Sequence, residues 1–190
     1  MSKTSTKKMV LASILTAIVI VLQFLGSFIK LGPFSVSAVL VPIVIGAATC
    51  GVGIGAWLGL IFGLVVLISG DAAAFLVVNV PGTIITVLLK GALCGLFAGL
   101  TYKAIARFNK YVAVAAAATI CPIVNTGIFL LGCLVFFMDT ISGWAAAMGL
   151  GGNIAQYMIF VLVGANFPVE MAINIVLSPV IVRLLNIKQK

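Results

Sequence analysis

The sequence predicts an all-α membrane protein: six transmembrane helices in one compact bundle, with both termini cytoplasmic. Three observations predict it. Of the 190 residues, 64% are hydrophobic and 7% are charged, against about 45–50% and about 25% in soluble domains. The apolar residues fall into runs that approach or exceed the roughly 20 residues a helix needs to cross a bilayer. The basic residues gather at alternate ends of those runs, the bias that sets orientation in a membrane. Disorder is excluded because it requires low hydrophobicity. A nucleic-acid module is excluded because the formal charge of +8 forms no solvated basic stripe.

The spans are expected at about 9–29, 34–49, 53–69, 83–106, 111–138 and 153–186, within a single domain covering 1–190. The first follows Lys3, Lys7 and Lys8. It exceeds the 7–15 apolar residues typical of a signal peptide, so it reads as a retained helix. Lys30-Leu31-Gly32-Pro33 breaks it. The apolar run over 34–69 is too long for one helix, and Cys50-Gly51-Val52-Gly53 marks a turn inside it. Residues 70–82, from Gly70-Asp71 to Pro81-Gly82, are too short to span and read as an outer cap or re-entrant segment. Residues 139–152 are rich in Gly and Ala and read as a loop. The last helix carries Pro168, where it can kink or break.

Charge tests this count. With the N-terminus inside, the inner ends hold Lys3, Lys7, Lys8, Lys103, Arg107, Lys110, Arg183, Lys188 and Lys190. The outer loops hold Lys30, Asp71 and Asp139, leaving Lys90 and Glu170 inside spans. An odd number of spans would place one basic cluster outside. The expected location is a cell membrane, crossed several times, with anionic lipid as a contact of the basic ends; the resemblance given below implies that the membrane is bacterial.

Absences narrow the chemistry. There is no histidine, and Asp71, Asp139 and Glu170 are the only acidic residues. Histidine-based catalysis and zinc ligation are thereby removed, and clustered carboxylate cages lack members. Cys50, Cys94, Cys121 and Cys133 form no Cys-x-x-Cys pair and read as small buried apolar groups. No catalytic residue, metal or cofactor is expected, and the chain is not read as an enzyme.

Polar residues inside a membrane are costly, and they usually face a cavity or the bundle interior. Lys90 and Glu170 are two such residues; each either touches a ligand or pairs with the other. Asn166, Glu170 and Asn174 follow i, i+4, i+8 and therefore share one helix face. That face must point inward, where its amides and carboxylate suit a polar organic ligand or serve as interhelical hydrogen bonds. Asn125 lies in the middle of its helix beside Pro122 and Thr126. Asn79, Gln156 and Tyr157 complete the ligand-binding candidates. Trp144 is either an interfacial aromatic or a stacking surface.

Small residues form a second pattern. Gly51, Gly55, Gly59 and Gly63 repeat every four residues, as do Gly91, Gly95 and Gly99. Such stripes let helix backbones approach closely, and internal packing is their expected use. Ala12, Ser13, Thr16 and Ala17 form a small patch on the first helix that serves either packing or a partner.

These features resemble the substrate-binding S component of energy-coupling factor (ECF) vitamin transporters. The resemblance rests on Ser13-x-x-x-Ala17, on Pro42-Ile43-Val44-Ile45-Gly46-Ala47 leading to the run from Gly55 to Gly63, and on Asn166-Phe167-Pro168-Val169-Glu170 with Asn174 and Ser178-Pro179. It implies capture of a water-soluble vitamin near the outer face. It also implies a membrane coupling protein, docked on the first-helix patch, and two ABC-type ATPases that bind the ATP. Riboflavin-type members carry acidic residues after the first outer loop, and residues 31–40 have none. The run from Pro42 to Phe62 is most similar to members assigned to pantothenate or to unassigned vitamins; a ligand carboxylate paired with Lys90 would fit pantothenate. The alternative reading is an autonomous small secondary transporter or channel. It would need a relay beyond one acid and one lysine.

Overall fold

The computed structural model describes residues 3–28, 38–164 and 166–187. The expected break at Lys30 to Pro33, the start of the second span at 34–37, and Lys188 and Lys190 lie outside the described residues. All regular structure among the described residues is helical. The helices are α1 (Lys3–Ser27), α2 (Leu40–Cys50), α3 (Val52–Ile68), α4 (Ala73–Leu76), α5 (Val80–Ile105), α6 (Lys110–Phe136), α7 (Met138–Ala147), α8 (Ile154–Tyr157) and α9 (Asn166–Ile187). A π-helical turn, Met158–Val163, continues α8.

Four helical segments are long and apolar enough to cross a bilayer: Thr6–Ser27, Val80–Ile105, Lys110–Phe136 and Asn166–Arg183. The 17-residue α3 is about 25 Å long at 1.5 Å per residue. The described part of α2 is shorter, with 11 residues.

The short α2 is the hub. It packs against α1, α3, α5, α6 and α9. Its sequence explains this position, because Leu40, Ile43 and Val44 are fully buried and it carries no charge. By contrast, α1 buries one stripe, Ala12, Leu15, Val19 and Gln23, and exposes Met9, Ile14, Ile18, Val21 and Leu25. The stripe follows i, i+3 and i+4 spacing, as one helix face requires. The turn between α2 and α3 falls at Gly51, whose φ of 110° is one that only glycine adopts without strain.

The glycine repeats pack α3 against α5. A Cβ on Gly59 would collide with the carbonyl of Gly91, and one on Gly91 with the carbonyl of Gly59. One turn away, Gly55 and Gly95 oppose each other in the same way, and Gly63 faces the Val87 carbonyl. The backbones therefore touch along three successive turns.

Two elements differ from the sequence expectation. Residues 139–152 are not all loop, since α7 occupies Met138–Ala147. Its Ala-rich composition favours helix, and Ile141 and Ala145 bury one edge of it against the neighbouring aromatics. The segment over 153–186 is not one helix. It breaks at Gly164, with φ 47°, so Pro168 falls in the first turn of α9, where its missing N–H costs nothing.

The core divides into two apolar clusters. The larger joins α1, α2, α3, α5, α6 and α9. The smaller gathers Phe75, Cys133, Phe137, Ile141, Tyr157 and Leu162 around α4 and α7.

Gly59→Ala should destabilise the purified protein by about 1–3 kcal/mol, the usual cost of overpacking, read as a fall in thermal unfolding temperature in detergent. Gly53→Ala, which meets nothing within 4 Å, should be neutral or stabilising. Equal stability of the two variants would refute the close-packed seam.

Candidate functional site

A cavity lies where the two apolar clusters meet. Its empty space, open mouth included, is about 830 Å³. Its walls come from α1, α3, α5, α6, the π-helical turn and α9, and α4 with the turn before it closes one side.

The polar side chains are few and come from distant parts of the chain. Lys90 and Thr86 sit one turn apart on α5, with Thr83 a turn nearer its start. Asn125 and Thr126 come from α6, Asn166 and Glu170 from α9. Gln23 of α1 and Asp71 of the α3–α4 turn complete the set. Phe62, Phe75, Phe129, Phe137 and Phe167 form much of the apolar wall.

Local structure explains each placement. Lys90 adjoins Gly91 and Phe62 adjoins Gly63, so the glycine seam brings these two side chains together. The Lys90 ammonium lies 5.4 Å from the Phe62 ring centre and 5.6 Å from that of Phe129, both within cation–π range. It forms no ion pair with Glu170 or any other described residue. Glu170 and Asp71 line the same cavity. On α6, Asn125, Phe129 and Gly132 follow i, i+4, i+7 and share the face towards α5. Gly132 has no side chain there, and a Cβ would strike Thr86.

Thr86 Oγ1 and Asn125 Oδ1 are buried in this wall with no hydrogen-bond partner among the described residues. Both residues are at most 6% exposed. Buried polar atoms are rarely left so, and these two face the same cavity.

The α9 stripe is buried throughout, with Asn166, Glu170 and Asn174 at 8%, 6% and 0% exposure. Asn166 and Glu170 line the cavity, whereas Asn174 does not. Its Nδ2 donates to the Glu170 carbonyl at 2.8 Å, one turn back on the same helix. Three further candidates lie away from the lining. Asn79 is the cap of α5, its side chain accepting from the Gly82 N–H at 2.9 Å. Gln156 is exposed at the start of α8, where its N–H donates to Asn153. Tyr157 is buried in the smaller apolar cluster.

Sequence reading missed Gln23, Thr83 and Thr86, and left Asp71 out of the site. Asp71 stays in a turn, between α3 and α4, and that turn is part of the wall. Gln23, 1% exposed, donates from Nε2 to Asp71 Oδ2 at 2.6 Å. A signal for Gln23 was available: an amide inside a 22-residue apolar span needs a partner. Nothing local indicates that the partner stands 48 residues away.

The aromatic side of the cavity continues outward. Phe75 packs edge-on against Phe129, Phe137 and Trp144, with ring centres 5.7, 4.9 and 5.6 Å apart. Trp144 thus touches the cavity wall through one ring. The first-helix patch points two ways. Ala12 is buried in the bundle, while Ser13 and Ala17 are exposed. Thr16 lies between, its hydroxyl donating to the Ala12 carbonyl at 2.8 Å.

Gln23→Leu should lower thermal stability by about 1–3 kcal/mol, the cost of removing one partner of a buried hydrogen bond. Leucine keeps the apolar contacts of α1, so an unchanged unfolding temperature would show that the Gln23–Asp71 bond contributes nothing.

Comparison with known proteins accords with this architecture. No curated protein and no solved structure matches the chain. The family model for the substrate-specific component of ECF transporters matches residues 7–182, nearly the whole chain and every wall of the cavity. The chain belongs to that family, the substrate-binding membrane subunits of ECF transporters.

Proposed function

We propose that this subunit captures a water-soluble vitamin or vitamin precursor in the cavity between α5, α6 and α9, with pantothenate the first candidate. The observation that carries this reading is the convergence of Lys90, Asn125, Asn166 and Glu170 on one cavity within an apolar bundle. Each would be costly facing lipid. Together they supply a cation, a carboxylate and two amides to a ligand that brings its own polar groups. Five phenylalanines around them suit the apolar part of such a ligand.

The cavity lies near the α4–α7 end of the bundle, away from Lys103, Arg107 and Lys110. By the positive-inside bias that end faces outward, and both termini face the cytoplasm. Capture then occurs from outside. Delivery depends on a coupling protein and two ATPases, with Ser13 and Ala17 presented on α1 for docking.

Binding is tested on purified protein stripped of co-purifying ligand and titrated with B vitamins and their precursors. Trp144 is the reporter, through its contact with Phe75. Sub-micromolar binding of one compound is expected, with a change in Trp emission and a rise in thermal stability. Binding of no compound by folded protein would overturn the capture reading.

Glu170→Ala should weaken that binding about 10- to 100-fold while the protein still inserts and purifies. Asn174→Ala should act mainly on stability, since its side chain is outside the cavity lining and bonds the α9 backbone. Ala17→Trp should leave vitamin affinity unchanged and abolish uptake in cells carrying the coupling module. Uptake that survived this substitution would exclude docking at the α1 patch.

A further inference from the structure

The polar groups of the cavity specify more than a polar ligand. Lys90 is its only cation among the described residues, and it has no anionic contact within ion-pair distance. Thr86 Oγ1, one turn away on the same helix face, lacks a partner, and so does Asn125 Oδ1 on the facing helix. Thr86 and Asn125 are at least nine-tenths buried. An ammonium, a hydroxyl and a carboxamide thus converge on one space from α5 and α6.

Their chemistry is complementary to a carboxylate. Lysine offers only donors, threonine can donate its hydroxyl proton, and the asparagine Nδ2 donates while Oδ1 accepts. A carboxylate oxygen accepts from the first two. Asn125 Oδ1 is then left to accept from a neighbouring hydroxyl or N–H of the same ligand. Phe62 and Phe129 flank the ammonium and limit water around it, which strengthens a charged hydrogen bond.

The two carboxylates in the wall set the upper limit on ligand charge. Asp71, held by Gln23, and Glu170, on α9, both line the cavity. With one lysine they give the described wall a net negative charge, so the Lys90 ammonium is the one point that favours an anionic group and a second such group has no cation to meet. A phosphate ester would meet repulsion, whereas a ligand hydroxyl or amide N–H would find an acceptor.

We infer that the captured substrate is a monocarboxylic acid bearing hydroxyl or amide N–H groups, its carboxylate held by Lys90 and Thr86 and an adjacent donor by Asn125. This rests on the capture reading above and goes further by assigning the charge of the ligand and naming Thr86 as a binding residue.

The test compares each acid with its neutral congener on the stripped full-length protein. Suitable pairs are pantothenate with pantothenol, biotin with biotinamide, and nicotinate with nicotinamide, with 4′-phosphopantothenate as the doubly charged probe. One acid should bind at least about 100-fold more tightly than its neutral partner, and the phosphate ester should bind no better than the neutral form. Lys90→Met should remove most of the difference between acid and neutral congener, and Lys90→Arg should restore part of it. If Lys90→Met does not fold, Thr86→Val supplies the same test. It should weaken the acid about tenfold and leave the neutral congener unchanged.

A neutral or cationic vitamin that binds at sub-micromolar affinity, with no acid doing so, would overturn the carboxylate assignment while leaving capture intact. Equal affinity of acid and neutral congener would do the same, as would tight binding of the phosphate ester. Failure of every compound to bind folded protein would overturn the capture reading, and this inference with it.

Discussion

The backbone contact between α3 and α5 is the constraint on which the site depends. Helices in lipid gain little from hydrophobic burial against one another, so their association relies on close packing and hydrogen bonds. Gly55, Gly59 and Gly63 meet Gly95, Gly91 and the Val87 carbonyl without side chains between them. Two rigid backbones held this closely cannot slide by a residue without a clash. The register of α3 on α5 is therefore set, and with it the position of Phe62 relative to Lys90. One lysine inside the bundle is tolerable because its surroundings are determined on that side by aromatic rings.

The cavity follows from an incomplete fit between two cores. The larger cluster is organised around α2, whose Leu40, Ile43 and Val44 are fully buried. The smaller one is built from aromatic and aliphatic groups on α4, α6, α7 and α8. Where they meet, the chain places Thr86, Lys90, Asn125, Asn166 and Glu170 instead of apolar residues that would close the gap. An apolar filling would stabilise the bundle more, because buried unsatisfied polar atoms cost free energy. The exchange of stability for recognition is common at binding sites.

The α1 helix connects two regions of different character. Near one end, Gln23 reaches Asp71 in the cavity wall. Nearer the other, Ser13 and Ala17 are exposed beside the buried Ala12. Ten residues separate Gln23 from Ser13, about 15 Å of rigid helix. The same helix thus contributes to the cavity and presents the small outward surface suited to a helical neighbour.

Much of this architecture is legible in the sequence because it depends on local periodicity. Apolar runs mark helices that bury their backbone polar groups internally, as a bilayer demands. The four-residue glycine repeats indicate close helix contact, and the i, i+4, i+8 spacing of Asn166, Glu170 and Asn174 requires a buried face. The residues 139–152 misled because Gly and Ala dominate them, yet the Ala-rich part continues as α7 once Ile141 and Ala145 have a surface to pack on. Asn79 is a polar residue near a helix end, and its place there is that of a cap.

The sequence by itself determined the class of the protein, the helical faces that turn inward and the presence of a lysine and a glutamate that must be sheltered. Only the tertiary structure decided which polar groups share a space. It joined Gln23 to Asp71, brought Thr86 opposite Gly132, and kept Lys90 beside two phenylalanines and apart from Glu170. Helix periodicity is a property of neighbouring residues, whereas convergence on a cavity depends on how α1, α5, α6 and α9 pack around α2, and no local pattern contains that information.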